Sequence, residues 1–321
     1  MIQQASHLKP VVILVGPTAV GKSEVAIGLA KRLAGEIVTA DSMQVYKGMD
    51  IGTAKPTPAE RNGVPHHLID IVSPDEAFNV ARYREMAHRV IADIHARERL
   101  PIVSGGTGLY IRAVLDEFLL PGAGSDPLVR AKLEAEAAEH GKQALYERLQ
   151  EIDPETAERL HPNDVRRVIR ALELYETTGK TMSQHLKEAQ KKEPRYHAIR
   201  IGLTRPRAEL YRRIDQRVEQ QIADGLVDEV RRLMQRYQLN KTARQALGYK
   251  EIIDYLEGKS TFEEAVERLK RETRRYAKRQ YTWFRRDERL RWFDLHAYAS
   301  MADAVDDIAE YIRRQLPAKP L

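Results

Sequence analysis

Five apolar residues, Val11-Val12-Ile13-Leu14-Val15, run into Gly16-Pro17-Thr18-Ala19-Val20-Gly21-Lys22-Ser23. This junction constrains the fold more than any other feature of the chain. A short β-branched run with no polar alternation reads as a strand buried on both faces, which is the habit of parallel sheets. The octet fits the Walker A pattern, with a strand before it and a helix after it. That helix is predicted from Gly21 to Ala34, with Val25, Ile27, Leu29, Ala30 and Leu33 as apolar positions and Gly35 as its stop. A second strand, Glu36 to Ala40, then ends at Asp41. The order strand–helix–strand implies a βαβ unit in a parallel sheet.

Such a loop has a definite chemistry. Its glycines let backbone N–H groups turn toward phosphate oxygens, and the helix N-terminus adds a favourable dipole. Lys22 supplies charge to the terminal phosphates, and the Ser23 hydroxyl suits Mg²⁺. The motif predicts a diphosphate or triphosphate held with Mg²⁺, without naming the molecule that carries it.

Further strands are predicted at Leu68–Val72, Pro101–Ser104 and His197–Leu203, and helices at Asn79–Glu98 and Thr107–Glu117. The Pro121–Pro127 stretch breaks this pattern, and short helices follow to about Glu193. Beyond Arg207 the chain reads as nearly all helical. The expected organisation is an α/β core from residues 1–120 and 195–321 around a helical insertion at 121–194. A length of 321 residues agrees with about two domains.

Composition excludes whole classes of chemistry. With no cysteine, disulfides, thiolate catalysis, Fe–S clusters and Cys-ligated zinc are ruled out. No apolar run approaches the ~18–20 residues of a membrane span, so no membrane role and a cytoplasmic location are expected. The net charge of +6 is unevenly spread. Residues 1–160 hold 18 basic and 22 acidic residues, whereas 161–321 hold 35 and 25. A polyanionic partner for the second half explains that asymmetry; a solvated helical surface is the plainer explanation. Between 268 and 291 eleven Lys and Arg residues are interleaved with Tyr276, Tyr281, Trp283 and Phe284. Basic groups neutralise phosphates, and aromatic rings stack on unpaired bases. Phe262, Val266, Leu269, Tyr276 and Ala277 are also spaced as the core stripe of a helix.

Two loops complete the candidate site. Asp41, directly after the second strand, is placed to act as a general base, or else as a helix cap or outer Mg²⁺ ligand. Gly105-Gly106-Thr107-Gly108 follows another strand without the acidic residue of a Walker B strand, which argues against a conventional ATPase. Adjacent His66 and His67 on an extended segment face opposite ways, so packing is expected of them rather than joint metal ligation.

Taken with Asp41–Tyr46, Gly48–Lys55, Pro65–Asp70, Gly105–Tyr110, Gln245–Glu251, Arg275–Gln280 and Thr282–Arg285, the chain resembles the tRNA dimethylallyltransferases over nearly its whole length. The eukaryotic members carry a zinc finger that this Cys-free chain lacks, so the bacterial form is the better match. The resemblance implies a P-loop NTPase-like α/β fold, a parallel sheet flanked by helices with a helical insertion domain. It implies transfer of a dimethylallyl group from dimethylallyl diphosphate to the N6 amine of the adenosine 3′ of a tRNA anticodon, by a monomer. In that picture Gly16 through Ser23 (Gly16, Pro17, Thr18, Ala19, Val20, Gly21, Lys22, Ser23) bind the diphosphate, with Ser23 on Mg²⁺. Asp41, Thr107 and Arg217 are the catalytic residues. Asp41, Ser42, Met43, Gln44 and Thr107 bind the tRNA, with Gln44 and Ser42 as the adenine readers. Arg130, Arg166, Arg167, Val168, Ile169 and Arg170 match tRNA-contacting positions of an insertion that clamps the anticodon stem-loop. Ala243, Arg244, Gln245, Ala246, Leu247, Gly248, Tyr249 and Lys250 match another. A P-loop kinase for a small hydroxylated substrate shares Gly16–Ser23 and Asp41 but leaves the insertion and the basic tail unexplained. A nucleotide-gated RNA-binding protein without catalysis is the third possibility.

Overall fold

The computed structural model describes residues 8–115, 126–190 and 193–317. In chain order the elements begin with β1 (Pro10–Val15), α1 (Lys22–Arg32), β2 (Gly35–Thr39), α2 (Pro58–Arg61), β3 (His66–His67), α3 (Val80–Ala96), β4 (Leu100–Gly105) and α4 (Gly108–Val114). Next come α5 (Pro127–Glu139), α6 (Gly141–Ile152), α7 (Pro154–Glu158), α8 (Val165–Thr178) and α9 (Met182–Gln190). They are followed by β5 (His197–Thr204), α10 (Arg207–Ala223), α11 (Leu226–Arg236), α12 (Lys241–Arg244), α13 (Tyr249–Leu256), α14 (Phe262–Phe284), β6 (Arg291–Asp294) and α15 (Met301–Gln315).

The strands form one parallel sheet in the order β3-β2-β4-β1-β5-β6. β1 lies in the interior of that order with Val11 to Val15 fully buried, as its uninterrupted apolar run requires. The chain leaves β1, crosses by α1 and enters β2, skipping the place that β4 later fills. β2, β4 and β1 are therefore consecutive, with Thr39 beside Ser104 and Val15 beside Gly105. The loops that leave their carboxyl ends emerge side by side, where open α/β sheets hold their ligands.

The chain divides into two compact units, one of residues 1–114 and 196–321 and the other of residues 115–195. In the first, α1 packs on β1 and on α15, where Gly28 leaves room for Val305; an added Cβ would lie 2.9 Å from its methyls. The second is a helical unit with its own core of Leu133, Leu145, Leu149, Ala157, Val168 and Leu172. Its buried Glu173 accepts from Arg130 and Arg170, both at 2.8 Å, and from the Asp126 N–H at 3.2 Å. A buried carboxylate needs such partners. Among the described residues no helix is long and apolar enough to cross a membrane.

Three local expectations give way. The left-handed residue ending α1 is Ala34, with φ 50°, and Gly35 instead opens β2. A Cβ on Gly35 would lie 2.8 Å from the Leu100 carbonyl, so its absence serves strand packing. The strand expected at Leu68–Val72 is His66–His67, because Leu68 and Asp70 adopt left-handed φ values of 59° and 56°. Val72 makes only an isolated bridge to Tyr46. The tail beyond Arg207 holds a further strand, β6, which pairs Trp292 with Gly202. The part of the Thr107–Glu117 helix beyond Leu115 lies outside the described residues.

Candidate active site

The loop between β1 and α1 wraps around an ammonium group. Lys22 Nζ donates to the carbonyls of Gly16 at 3.0 Å and Pro17 at 2.8 Å. Gly21 caps α1 with φ 114°, a conformation costly for any residue with a Cβ. Burial and the neighbouring Arg217 charge push the Lys22 ammonium down to about 7, and Asp41 acts in the opposite direction. A cation held below its ordinary range is restored when an anion arrives beside it.

Three arginines grip this loop from outside. Arg205 Nε donates to the Val20 carbonyl at 2.9 Å, Arg213 Nε to the Ala19 carbonyl at 2.9 Å, and Arg217 Nη1 to Thr18 Oγ1 at 3.2 Å. Arg213 and Arg217 are four residues apart on α10, hence one above the other on one face. Burial lowers the pKa of Arg217, and the Asp41 charge raises it. The loop is thus lined by Lys22 and Arg217, with Asp41 electrically coupled to both.

Asp41 follows β2. Its Oδ1 accepts the backbone N–H of Met43 at 2.9 Å and of Gln44 at 3.4 Å. That turn fixes the carboxylate through Oδ1. The Thr107 loop leans on the same segment: Thr107 N donates to the Ala40 carbonyl at 3.2 Å. Thr107 Oγ1 accepts from Ser42 N at 3.0 Å and donates to Ser42 Oγ at 3.3 Å. Gly105 permits this approach, since a Cβ there would lie 2.0 Å from the Ala40 oxygen.

Gln44 donates from Nε2 to the carbonyls of Thr53 at 3.2 Å and Ala54 at 3.4 Å. The Gly48–Lys55 stretch is itself a scaffold. Buried Lys55 donates to the Tyr46 carbonyl at 2.8 Å and pairs with Asp50 and Asp70. Buried Glu229 on α11 accepts the N–H groups of Asp50, Ile51 and Gly52 at 2.8–3.2 Å and the Tyr249 hydroxyl at 2.6 Å.

The segments matched to nucleic-acid contact divide by burial. Val168, Ile169, Ala243, Ala246, Gly248 and Tyr249 are buried, and Leu247 is half-buried. Their surface is carried by Arg166, Arg167, Arg244, Gln245 and Lys250. Arg130 and Arg170 hold Glu173, as described above. In the expected core stripe of α14, Leu269 and Ala277 are buried, whereas Phe262, Val266 and Tyr276 are half-buried. Of the α14 cations, Arg268, Lys270, Arg274 and Arg275 face carboxylates of Asp254, Glu219, Asp215 and Glu272. His66 and His67 also have separate partners, the Val64 carbonyl at 2.9 Å and Glu36 at 2.7 Å.

Residue-level reading missed several members of the site. Arg213 was marked only by its spacing from Arg217. Tyr276, assigned to core and stacking, lies beside Thr107 and Gln280; burial first, and then the Asp41 charge, push its hydroxyl well up. Gln280 accepts from Thr18 N at 2.8 Å and donates to the Gly106 carbonyl at 3.0 Å. Glu229 carried no local signal.

Comparison with known proteins accords with this geometry. The family model for IPP transferase matches residues 44–287. The chain is 54% identical over 285 residues to a tRNA dimethylallyltransferase of Halothermothrix orenii, covering 88% of this chain and 87% of that protein. It is 51% identical over 306 residues to the one of Geobacillus thermodenitrificans, covering 95% and 97%. Among solved structures, the tRNA isopentenylpyrophosphate transferase of Bacillus halodurans superposes with a TM-score of 0.72 at 47% identity, covering 96% of each chain. A eukaryotic dimethylallyltransferase acting on tRNA superposes with a TM-score of 0.82 at 31% identity, covering 97% of this chain and 81% of that one. Matched in sequence and structure over nearly its full length, the chain belongs to the IPP transferase family, alongside the tRNA dimethylallyltransferases.

Proposed function

We propose that this chain transfers a dimethylallyl group from dimethylallyl diphosphate to the exocyclic N6 amine of the adenosine directly 3′ of a tRNA anticodon, releasing diphosphate. The observation that carries the reading is the gathering of Lys22, Arg217, Thr107 and Asp41 where β1, β4 and β2 end together. That set serves a leaving anion on one side and a proton acceptor on the other.

The bond that breaks joins the allylic carbon to the bridging oxygen, and its electron pair leaves with the diphosphate. Lys22 and Arg217 stabilise the negative charge that develops there, which is the largest single contribution such a site makes. Thr107 donates its hydroxyl toward the bridging oxygen, turning from Ser42 Oγ to do so. The adenine amine is a weak nucleophile because its lone pair is delocalised into the ring. The forming N6–C bond therefore needs close positioning and a base, and Asp41 Oδ2 takes the N6 proton. The base must leave its stack to reach the site. Gln44 retains Oε1 as an acceptor for its edge, beside Ser42.

Mg²⁺ fits the donors present. Among the described residues no group of three His, Cys, Asp or Glu side chains is placed to hold a metal. Ser23 is exposed on the first turn of α1, and an ion bound through one hydroxyl, water and the ligand's own phosphate oxygens suits such a donor. Bound there, it would neutralise part of the diphosphate charge. For tRNA, the exposed Arg166, Arg167, Lys278, Arg279, Arg285 and Arg286 and the half-buried Arg244 and Lys250 supply phosphate contacts. The helical unit acts as a clamp on the anticodon stem.

The test is incubation of the protein with Mg²⁺, radiolabelled dimethylallyl diphosphate and unmodified tRNA. Label retained on acid-precipitated tRNA is expected; label that stays wholly soluble with every tRNA carrying the target adenosine rejects the proposal.

A further inference from the structure

Gln280 is a polar side chain only 5% exposed on the inner face of α14. A buried amide is unfavourable there unless both its ends are paired, and an apolar side chain would pack the helix as well. Both ends are paired, and to different loops. Oε1 accepts the backbone N–H of Thr18 in the diphosphate loop at 2.8 Å, and Nε2 donates to the carbonyl of Gly106 in the Thr107 loop at 3.0 Å. These loops are 88 residues apart in sequence and follow neighbouring strands (from Thr18 to Gly106). Gly106 makes the approach possible, because a Cβ there would lie 2.2 Å from Gln280 Nε2. One turn earlier on α14, Tyr276 lies beside Gln280 and Thr107. On the far side, Thr107 Oγ1 accepts from Ser42 N, next to Asp41, at 3.0 Å. Hydrogen bonds, joined by the Gly106–Thr107 peptide link, thus connect the leaving-group loop, through one glutamine, to the segment that carries Asp41.

We propose that Gln280 is a positioning residue that sets the distance between the diphosphate loop and Thr107, and so aligns the leaving oxygen with the base. This rests on the transferase reading above. Gln280 is buried with both its ends bonded to the two loops, so it acts through them. Its Thr18 bond also withdraws that N–H from phosphate binding, so the diphosphate is gripped by the rest of the loop. Loss of Gln280 is therefore expected in turnover rather than in capture of the diphosphate.

Gln280→Met keeps size and removes both bonds. Its kcat for transfer is expected to fall about ten- to a hundredfold, the cost of misplacing reacting groups by around an ångström. Its KM for dimethylallyl diphosphate is expected to stay within about threefold, on the same argument that capture and alignment are separate. A kcat within about twofold of wild type overturns the proposal. Gln280→Glu keeps the acceptor for Thr18 and donates to Gly106 only when protonated. Its kcat relative to wild type is expected to rise as pH is lowered; a flat ratio overturns the proposal. A third readout needs no transfer at all: the Thr18 amide should exchange with solvent faster in Gln280→Met than in wild type, by tenfold or so. Unchanged exchange overturns the loop coupling. Failure of wild-type transfer with slow Thr18 exchange strikes the transferase reading alone.

Discussion

Asp41 Oδ1 accepts the Met43 N–H at 2.9 Å, so the carboxylate proposed as the base is held by the backbone of the segment that presents it. Asparagine at this position keeps that acceptor and the shape but cannot take a proton. Asp41→Asn should lower kcat by about a hundred- to ten-thousandfold, the usual weight of a positioned base. Affinity for inorganic pyrophosphate, measured calorimetrically, should persist. Turnover near the wild-type rate would remove Asp41 from the base role.

Lys22 gives a pH-dependent signature. Its ammonium is pushed down to about 7 in the unliganded protein, mainly by burial. A diphosphate beside it favours the charged form and raises that value again. At pH 8 the free lysine is mostly neutral, so binding should take up close to one proton. At pH 6 the lysine is already charged, and this uptake should vanish. Calorimetry of pyrophosphate binding in buffers of different ionisation enthalpy measures it. Subtracting the values for Lys22→Arg, whose guanidinium stays protonated, removes the ligand's own titration. Equal uptake by the two proteins at pH 8 would contradict the assignment.

Gly108 opens α4 against Trp283, and a Cβ there would lie 2.0 Å from the indole Nε1. Gly108→Ala should therefore destabilise the protein by about 1–3 kcal/mol, the usual cost of overpacking. Urea unfolding followed by tryptophan fluorescence checks this.

Glu229 satisfies three backbone N–H groups and the Tyr249 hydroxyl from within the protein. Glu229→Ala leaves all four without their acceptor and should cost about 3 kcal/mol or more, while Tyr249→Phe removes one bond and should cost about 1 kcal/mol. Because Tyr249 is fully buried, its variant should keep the wild-type KM for tRNA. A weakened tRNA KM with unchanged stability would instead make that side chain a contact.

These expectations show what was legible in the residues. The Gly16–Ser23 loop and Asp41 are local: each is a strand end followed by a few residues whose chemistry is set by neighbours in sequence. The parallel sheet followed from the same runs. Gln280, Tyr276 and Arg213 reach the loops from more than 150 residues away, and helical spacing alone cannot say which buried face meets which loop. Residue burial divides the Ala243–Lys250 stretch into inward and outward side chains, whereas its family resemblance marks a segment but not the direction of its side chains. β6 escaped notice because it is a four-residue edge strand at the end of an arginine-rich stretch, where periodicity has too few residues to register. The Leu68–Val72 prediction failed through two left-handed residues that no apolar pattern announces.

The central claim is that the allylic carbon moves to one tRNA adenosine. Mass spectrometry of nuclease-digested tRNA, after incubation with dimethylallyl diphosphate and Mg²⁺, tests it most directly. The expected result is one dimethylallyl addition on the adenosine 3′ of the anticodon, matched by pyrophosphate release and formed far more slowly with Asp41→Asn. Unmodified tRNA, together with ATP consumption on a small hydroxylated acceptor, would contradict it.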